Sequence, residues 1–273
     1  MTGKTFAVIG DPIDHSMSPN IHSAAFRELN LNHSYMAYKI ARDELDEGIA
    51  SLKKINIAGF NITIPHKIPM MKYLDKIDQS CSIIGAVNTV VNNGGLLKGY
   101  NTDMDGFLHP FRKRGLPVHD ARILLFGAGG AARAIVAAFA KQRAGHITIA
   151  NRTITNAKNL CEFSKKIGLE ATPADLKSAN DARGYDIVVN ATSLGLKNQS
   201  SLMLPEGINE NTIVYDIVYM PMNTDLVRKA KKQNATVIYG YEMLLGQATL
   251  SFEIWHGMQA PYDSMKRALL GGV

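Results

Sequence analysis

Residues 121–140 read ARILLFGAGGAARAIVAAFA. The apolar run 123–126 ends at a glycine-rich turn, and an alanine-rich segment without a helix breaker follows, which predicts a strand, a tight turn and a helix. Gly127, Gly129 and Ala132 occupy the three positions of the pattern G-x-G-x-x-G/A. In that pattern the first turn of the helix presents free N–H groups to a pyrophosphate. The stretch therefore predicts a dinucleotide-binding unit.

Strands and helices alternate on both sides of this stretch. Residues 5–64 predict a β-α-β-α-β order, and Asn92-Asn93-Gly94-Gly95 lies between two strand-like runs as the turn of a hairpin. Alternation resumes from residue 121 to residue 239, and two helices follow at 241–258 and 261–270. We expect an α/β fold of two domains: residues 1–102 with a mixed sheet, and residues 103–246 with a Rossmann-like sheet. A ligand-binding cleft is expected at their junction.

Composition and charge narrow the class of protein. The 273 residues are 46% hydrophobic and 20% charged, with a formal net charge of +6, which is typical of a globular protein with an anionic ligand. Basic runs are too short to predict nucleic-acid binding. Apolar runs fall short of the roughly 20 residues of a membrane span, and no secretory leader is evident, so we expect a cytoplasmic protein. Two separate cysteines predict reduced thiols, and no residue spacing predicts a metal site.

The strand after the glycine-rich turn ends at Ala150 and is followed by Asn151-Arg152-Thr153. A domain that binds NAD usually has an acidic residue there for the ribose 2′-hydroxyl. Arg152 instead offers a planar set of donors that suits a 2′-phosphate. This exchange of acid for base favours NADP over NAD.

Polar residues gather in the first half of the chain. Asn61 and Thr63 lie on a predicted strand that Pro65 ends, and Lys67 follows at its carboxyl end. Ser16 and Ser18 lie where Ser18-Pro19 predicts the N-cap and first turn of a helix, a favourable place for a carboxylate. Asn88 and the run Asn101-Thr102-Asp103 lie beside the hairpin. Many neutral donors, one cation and one carboxylate suit a small polyhydroxylated acid as substrate.

These stretches together resemble the shikimate dehydrogenase family, whose members reduce 3-dehydroshikimate to shikimate with NADPH in aromatic amino-acid biosynthesis. The matching segments are SMSP at 16–19, GFNITIPHK at 59–67, GAVNT at 85–89, NTD at 101–103, GAGGAA at 127–132, NRT at 151–153, NATSLG at 190–195, DIVY at 216–219 and GYEMLLGQA at 240–248. They span nearly the whole chain in the order of the family. The resemblance also implies that residues 247–273 pack back on the first domain.

The resemblance implies roles for individual positions. Lys67 and Asp103 would form the catalytic acid–base pair, and in reduction the Lys67 ammonium would protonate the developing alkoxide. The substrate-binding positions would be Ser16, Ser18, Asn61, Thr63, Lys67, Asn88, Asp103, Tyr219 and Gln247. The positions that contact the cofactor would be Gly127, Ala128, Gly129, Gly130, Ala131, Asn151, Arg152, Thr153, Ile154, Thr155, Asn156, Thr192, Ser193, Leu194, Ile217 and Gly240.

Two other interpretations stay open at this point. A quinate/shikimate dehydrogenase of broader specificity would share the same segments, although Arg152 favours NADP. A dinucleotide-binding regulator without activity would share the fold, but it would have no need of both Lys67 and Asp103. We expect a small-molecule substrate, no nucleic-acid or membrane partner, and a monomer or homodimer.

Overall fold

The computed structural model describes residues 3–196, 202 and 204–271. The chain divides into two compact units. Unit 1 comprises Met1–Gly106 and Leu245–Val273, and unit 2 comprises Phe107–Leu244. The elements in chain order are β1 (Thr5–Gly10), α1 (Ser18–Glu28), β2 (Ser34–Lys39), α2 (Leu45–Lys54), β3 (Gly59–Ile62), a 3₁₀-helix (Pro69–Tyr73), β4 (Lys76–Ile77), α3 (Gln79–Ile84), β5 (Thr89–Asn93), β6 (Leu96–Tyr100), α4 (Asp103–Arg114), β7 (Arg122–Phe126), α5 (Gly130–Lys141), β8 (His146–Asn151), α6 (Ile154–Lys166), β9 (Ala171–Asp175), β10 (Ile187–Asn190), β11 (Ile213–Asp216), α7 (Asp225–Lys232), β12 (Thr236–Tyr239), α8 (Gly240–His256) and α9 (Tyr262–Leu270).

Unit 1 contains a mixed sheet with the strand order β2-β1-β3-β5-β6-β4. Strands β1, β2 and β3 are parallel, whereas β5 runs antiparallel to both β3 and β6. Asn93 pairs with Leu96, so Gly94 and Gly95 form a two-residue turn, and both have positive φ. Glycine adopts that conformation without strain, which explains the predicted hairpin. The mixed sheet expected for the first half of the chain is confirmed.

Unit 2 contains a sheet of six parallel strands with the order β12-β11-β10-β7-β8-β9. This is the strand order of the doubly wound dinucleotide-binding fold, with its switch point between β7 and β10. Residues after the carboxyl ends of those two strands therefore border the crevice in which such folds bind ligands. The strands carry buried apolar side chains, including Leu124, Val188 and Val214, as expected for a parallel sheet.

The last helices belong to the first sheet. Helix α9 packs on α1 within unit 1, and the part of α8 from Leu245 onward also belongs to this unit. The Trp255 ring on α8 lies 4.9 Å from the Phe6 ring of β1, measured between centroids. The prediction that the C-terminal helices pack back on the first domain is confirmed.

Three local expectations are wrong. Helix α1 begins at Ser18, with Met17 at the N-cap and no side-chain cap, so Ser18 is not the N-cap. Strand β3 ends at Ile62, because the backbone beyond it turns, with the His66 N–H donating to the Thr63 carbonyl; Thr63 therefore lies outside the strand. Residues 67–73, whose sequence also predicts a short helix, are helical only from Pro69, and as a 3₁₀-helix.

Within the described ranges, the helices are too short or too polar to cross a membrane.

Candidate active site

Lys67 and Asp103 form an ion pair in unit 1. The Lys67 ammonium donates to both carboxylate oxygens of Asp103, at 2.9 Å to Oδ1 and 2.6 Å to Oδ2. The Asp103 side chain is 4% exposed and that of Lys67 is 26% exposed. The carboxylate is therefore almost enclosed, while the Lys67 side chain is partly exposed. These are the two residues predicted as the acid–base pair, and the fold brings them together across 36 residues of sequence.

Backbone contacts hold the segment that carries Lys67. The Val87 N–H donates to the Lys67 carbonyl at 2.9 Å, which ties the segment to the residues before β5. The neighbouring His66 is fully buried, and its Nε2 lies 2.7 Å from the Ile40 carbonyl oxygen. Because a carbonyl oxygen only accepts, Nε2 carries the proton. His66, for which no partner was evident from the sequence, thus anchors the loop.

A buried polar cluster holds Asp103 from the other side. The Asn88 amide donates to Asp103 Oδ1 at 3.0 Å and to the Thr102 hydroxyl at 2.9 Å. The Asp103 N–H donates to Asn101 Oδ1, also at 2.9 Å. Asp103 is the first residue of α4, where the free N–H groups of the first turn favour a negative charge. Asn88 therefore contacts the carboxylate directly and uses both of its amide protons within the protein.

Ser16 and Ser18 lie at the start of α1. The Ser18 N–H donates to the Ser16 hydroxyl over 3.4 Å, and both residues are partly exposed. The helix has no side-chain cap. The Ser18 N–H is used in this contact, Pro19 has no N–H, and the Ile21 N–H donates to the Met17 carbonyl, so the two hydroxyls are the main donors offered to an anion at this helix start. The Ser18 hydroxyl also interacts with Tyr35, whose pKa burial raises well above its usual value.

Asn61 was predicted to bind substrate, but its side-chain amide makes hydrogen bonds within the protein. Its Oδ1 accepts from the Tyr35 hydroxyl at 2.7 Å. Its Nδ2 lies 3.1 Å from the Asn88 carbonyl oxygen and 3.0 Å from the hydroxyls of Thr89 and Ser251. An amide nitrogen has two protons, so these acceptors occupy both. Asn61 thus joins β3 to β2, β5 and α8.

Thr63 and Gln247 are placed by close contacts with glycine. A Cβ built on Gly10 would lie 2.4 Å from the Thr63 methyl group, so this glycine lets Thr63 pack on the end of β1. A Cβ on Gly106 would lie 2.6 Å from Gln247 Cγ and 2.9 Å from the Gln247 backbone nitrogen. Helix α8 therefore approaches the first turn of α4 at Gln247, one turn beyond Asp103.

The glycines of the turn between β7 and α5 differ in whether the fold leaves room for a side chain. Gly127 has a φ of 107°, and a Cβ there would lie 2.8 Å from the Ala191 carbonyl oxygen, so the fold itself requires glycine. At Gly129 and Gly130 a Cβ would meet nothing within 4 Å. Helix α5 starts at Gly130 without a side-chain cap, and Ala132 is fully buried. The open space and the free N–H groups fit a bound pyrophosphate, with Ala128 and Ala131 partly exposed beside it.

The segment after β8 is open to solvent. Arg152, Thr153, Ile154, Thr155 and Asn156 are exposed, and the Asn151 amide donates to the Thr153 carbonyl at 2.9 Å. Thr153 is the N-cap of α6 but makes no capping hydrogen bond with its side chain. The Arg152 guanidinium and the first turn of α6 thus offer unused donors to an anion.

Asp216 organises the loops that follow β10 and β11. Its carboxylate accepts from the Asn190 amide at 3.0 Å and from the Thr224 hydroxyl at 2.6 Å. Asn190 in turn accepts from the Thr192 hydroxyl at 2.7 Å and donates to the Leu194 carbonyl at 3.1 Å. Burial raises the pKa of Asp216, against the effect of these hydrogen bonds. This network shapes the loop that contains Thr192, Ser193 and Leu194.

Ile217 and Gly240 meet within unit 2. A Cβ on Gly240 would lie 2.4 Å from the Ile217 carbonyl oxygen, so glycine is needed for α8 to begin here. Tyr219 is partly buried in the next loop, and burial raises its pKa. No group of three potential metal ligands occurs in the part of the chain that the structure describes.

Family models match three consecutive parts of the chain. The model "Shikimate dehydrogenase substrate binding domain" matches residues 8–90, "Shikimate / quinate 5-dehydrogenase" matches 112–232, and "Shikimate 5'-dehydrogenase C-terminal domain" matches 240–270. A curated protein of Nitrosopumilus maritimus named shikimate dehydrogenase (NADP(+)) is 69% identical over 271 residues, which cover 99% of each chain. The chain belongs to the shikimate dehydrogenase family.

Solved structures of family members have the same fold. A shikimate dehydrogenase crystallised with NADP⁺ superposes with a TM-score of 0.91 at 38% identity, covering 98% of this chain and 95% of the other. The Thermus thermophilus shikimate 5-dehydrogenase, solved with NADP(H) and shikimate, has a TM-score of 0.86 at 33% identity, covering 99% and 100%. The family resemblance read from the sequence motifs is confirmed.

Residues that were not predicted as site residues complete the polar clusters. Tyr35, Thr89 and Ser251 contact Asn61, and Asp216 and Thr224 support the loop after β10. Ser251 lies 190 residues from Asn61 in sequence, so no local pattern could have connected them. Asp216 was visible as the residue that ends a strand at the ligand-binding edge of the sheet.

Proposed function

We propose that the protein is an NADP-dependent oxidoreductase that reversibly reduces 3-dehydroshikimate to shikimate, a step toward chorismate and the aromatic amino acids. The observation that carries this proposal is the enclosed Asp103 carboxylate, bound by the ammonium of the partly exposed Lys67 side chain, in a chain of this family. The names of its relatives support both the substrate and the cofactor.

Unit 1 is proposed as the substrate domain, for which residues 1–102 and 247–273 were predicted. Unit 2 is proposed as the NADP domain, for which residues 103–246 were predicted. The polar groups of unit 1 support the assignment, because they match a carboxylate and several hydroxyls. The two serines at the start of α1 would bind the carboxylate. Thr63 and Gln247 would bind ring hydroxyls, and Tyr219 of unit 2 remains a predicted contact. Asn88 would act mainly by holding Asp103, since both of its amide protons are used within the protein. Asn61 would act mainly through the groups that it orients, since its donors are occupied.

Lys67 and Asp103 supply the proton chemistry in this proposal. Reduction of a ketone creates negative charge on its oxygen, and an ammonium group at that oxygen stabilises the charge and delivers a proton. Asp103 holds the ammonium by two hydrogen bonds and so limits its rotation. Asn88 fixes Asp103 in turn. In oxidation the same nitrogen, once neutral, accepts the hydroxyl proton.

The residues of unit 2 fit NADP. NADPH, when bound, supplies the hydride for the carbonyl carbon. The uncapped first turn of α5 and the open space beside Gly129 and Gly130 would accommodate the pyrophosphate. Arg152 would bind the 2′-phosphate, since its guanidinium is exposed and the following segment carries no acid before Glu162. The loop of Thr192–Leu194, with Ile217 and Gly240, is proposed to border the nicotinamide.

An assay of purified protein tests the function directly. NADP⁺ reduction should occur with shikimate, and activity with NAD⁺ should be weaker. Quinate is the necessary comparison, because one matching family model covers both shikimate and quinate enzymes. Absence of NADP⁺ reduction with shikimate would refute the proposal, and equal use of quinate would favour the broader specificity. The monomer or homodimer and the cytoplasmic location stay predictions.

A further inference from the structure

One face of helix α8 lies along the sheet of unit 1. Gln247, Ser251 and Trp255 are spaced four residues apart and so share a side of the helix. The Trp255 indole N–H donates to the Val90 carbonyl of β5 at 2.9 Å, over the site where Gly59 has no Cβ. Gln247 lies against Gly106 of α4. Ser251 lies between these two contacts.

Ser251 is fully buried, and its hydroxyl meets three polar groups. It lies 2.8 Å from the Thr89 hydroxyl, accepts from Asn61 Nδ2 at 3.0 Å, and lies 2.9 Å from the Gln247 carbonyl oxygen. Thr89 is adjacent to Asn88, and its hydroxyl lies 2.9 Å from Asn88 Oδ1. A single buried hydroxyl thus connects the Gln247 backbone with the strand residues beside Asn88.

The two hydroxyls have only one proton each, which limits how the contacts can be satisfied. If Thr89 donates to Ser251, then Ser251 donates to the Gln247 carbonyl. If Ser251 donates to Thr89, then Thr89 donates to Asn88 Oδ1. Both arrangements keep the Ser251–Thr89 contact, and that contact sets the position of α8 along β5. Gln247 lies one helical turn before it, about 6 Å along the axis.

We propose that Ser251 is a positioning residue for shikimate binding. It fixes the position of α8 on the sheet, so that the Gln247 side chain is presented beside Asn88 and Asp103. This inference rests on the proposed function and adds a residue to it. Without the Ser251 hydroxyl, Trp255 still attaches the helix, but the turn that carries Gln247 loses its contact with Thr89 and Asn61.

The experiment compares Ser251→Ala and Ser251→Cys with the wild type, measuring KM for shikimate, KM for NADP⁺ and kcat. Loss of one hydrogen bond should raise KM for shikimate about fivefold in both variants. KM for NADP⁺ should stay unchanged, because the NADP residues lie in unit 2. Cysteine is somewhat larger than serine and is a weak donor, so it fills the site and separates the loss of the hydrogen bond from the cavity that alanine leaves.

Ser164→Ala is the matched control. Ser164 is also a fully buried helix serine whose hydroxyl donates to one carbonyl, that of Leu169 at 2.8 Å, but it lies in unit 2. It should lower the melting temperature without changing KM for shikimate. Wild-type activity with shikimate tests the proposed function separately, before any variant is made.

A double variant tests whether Ser251 acts through Gln247. Gln247→Ala alone should raise KM for shikimate, and adding Ser251→Ala should raise it little further. Full additivity of the two effects would overturn the proposal. So would a Ser251→Cys protein with wild-type KM, or a Gln247→Ala protein with unchanged KM, neither of which would contradict the dehydrogenase activity itself.

Discussion

At the scale of single residues, Lys67 carries the clearest prediction. Lys67→Ala should lower kcat about 10²- to 10⁴-fold, because a positioned acid–base group contributes that much. KM for shikimate should change little, since several neutral donors still hold the ring. Steady-state rates with NADP⁺ and shikimate measure both effects.

Lys54→Ala is the control for that variant, since Lys54 is an exposed lysine in the last turn of α2. It should behave as the wild type. A Lys67→Ala protein with near-normal kcat would show that another group delivers the proton.

Arg152 is the residue expected to determine the preference for NADPH over NADH. Arg152→Ala should raise KM for NADPH at least tenfold and leave KM for NADH nearly unchanged, because charge-assisted hydrogen bonds to a phosphate are lost only with NADPH. Arg27→Ala, at an exposed arginine of α1, should alter neither constant. Equal losses for both cofactors would refute the 2′-phosphate contact.

Motifs identified Lys67, Asp103 and Asn88 as neighbours, because each lies at a strand end or helix start that the pattern locates. The occupied amide of Asn61 could not be predicted in the same way. Its partners Tyr35 and Ser251 lie on other elements, 26 and 190 residues away. Which donors stay free for a ligand depends on tertiary contacts and not on residue type.

At the scale of elements, replacing glycine by alanine should have different effects at two positions of the turn between β7 and α5. Gly129→Ala should leave the melting temperature unchanged and raise KM for NADPH several-fold, because a Cβ there meets only the space proposed for the pyrophosphate. Gly127→Ala should destabilise unit 2 by about 1–3 kcal/mol, since alanine is strained at positive φ. Thermal unfolding and cofactor titration of both variants measure the contrast.

If Gly129→Ala bound NADPH normally, the pyrophosphate could not lie against this turn. If Gly127→Ala were as stable as the wild type, the contact of its Cβ with Ala191 would have to be relieved by movement of the β10 loop.

The elements that sequence reasoning missed have physical explanations. Strand β9 contains Pro173, which argues against a strand, but β9 is the edge of its sheet, where a missing N–H is tolerated. Strand β4 has two residues, which pair with β6, and is too short for any periodicity. Most longer elements were found, because their apolar spacing follows the period of helix or strand.

At the scale of the whole molecule, a buried histidine makes stability depend on pH. His22 is fully buried and stacks on the Tyr35 ring, with 4.5 Å between centroids. Neither ring nitrogen has a hydrogen-bond partner among the described residues. Burial, with a smaller effect of His256, lowers the pKa of His22 to about 3. His256 has a lowered pKa too, mainly through burial, and His33 and Lys4 lie near it.

The unfolded chain therefore binds a proton at His22 that the folded chain excludes. Stability should be full above the unfolded pKa of about 6.5 and decrease as pH falls, by about 2 kcal/mol from this group between pH 7 and pH 5. Urea unfolding at the two pH values measures the decrease. His22→Phe should reduce it, whereas His119→Gln, at an exposed histidine, should not. An unchanged decrease in His22→Phe would exclude His22 as its source.

The division of unit 1 into two separated stretches has a consequence for biosynthesis. Residues 107–244 form a continuous unit, but the sheet of unit 1 lacks α9 and most of α8 until residues 245–273 leave the ribosome. At about 5–20 residues per second, synthesis of the chain from residue 107 to the end of unit 1 takes on the order of ten seconds. During that time the surface of the nascent first unit that receives α8 and α9 stays uncovered. The chain's one tryptophan, Trp255, lies in residues 245–273, so its fluorescence reports when α8 packs on the sheet of unit 1.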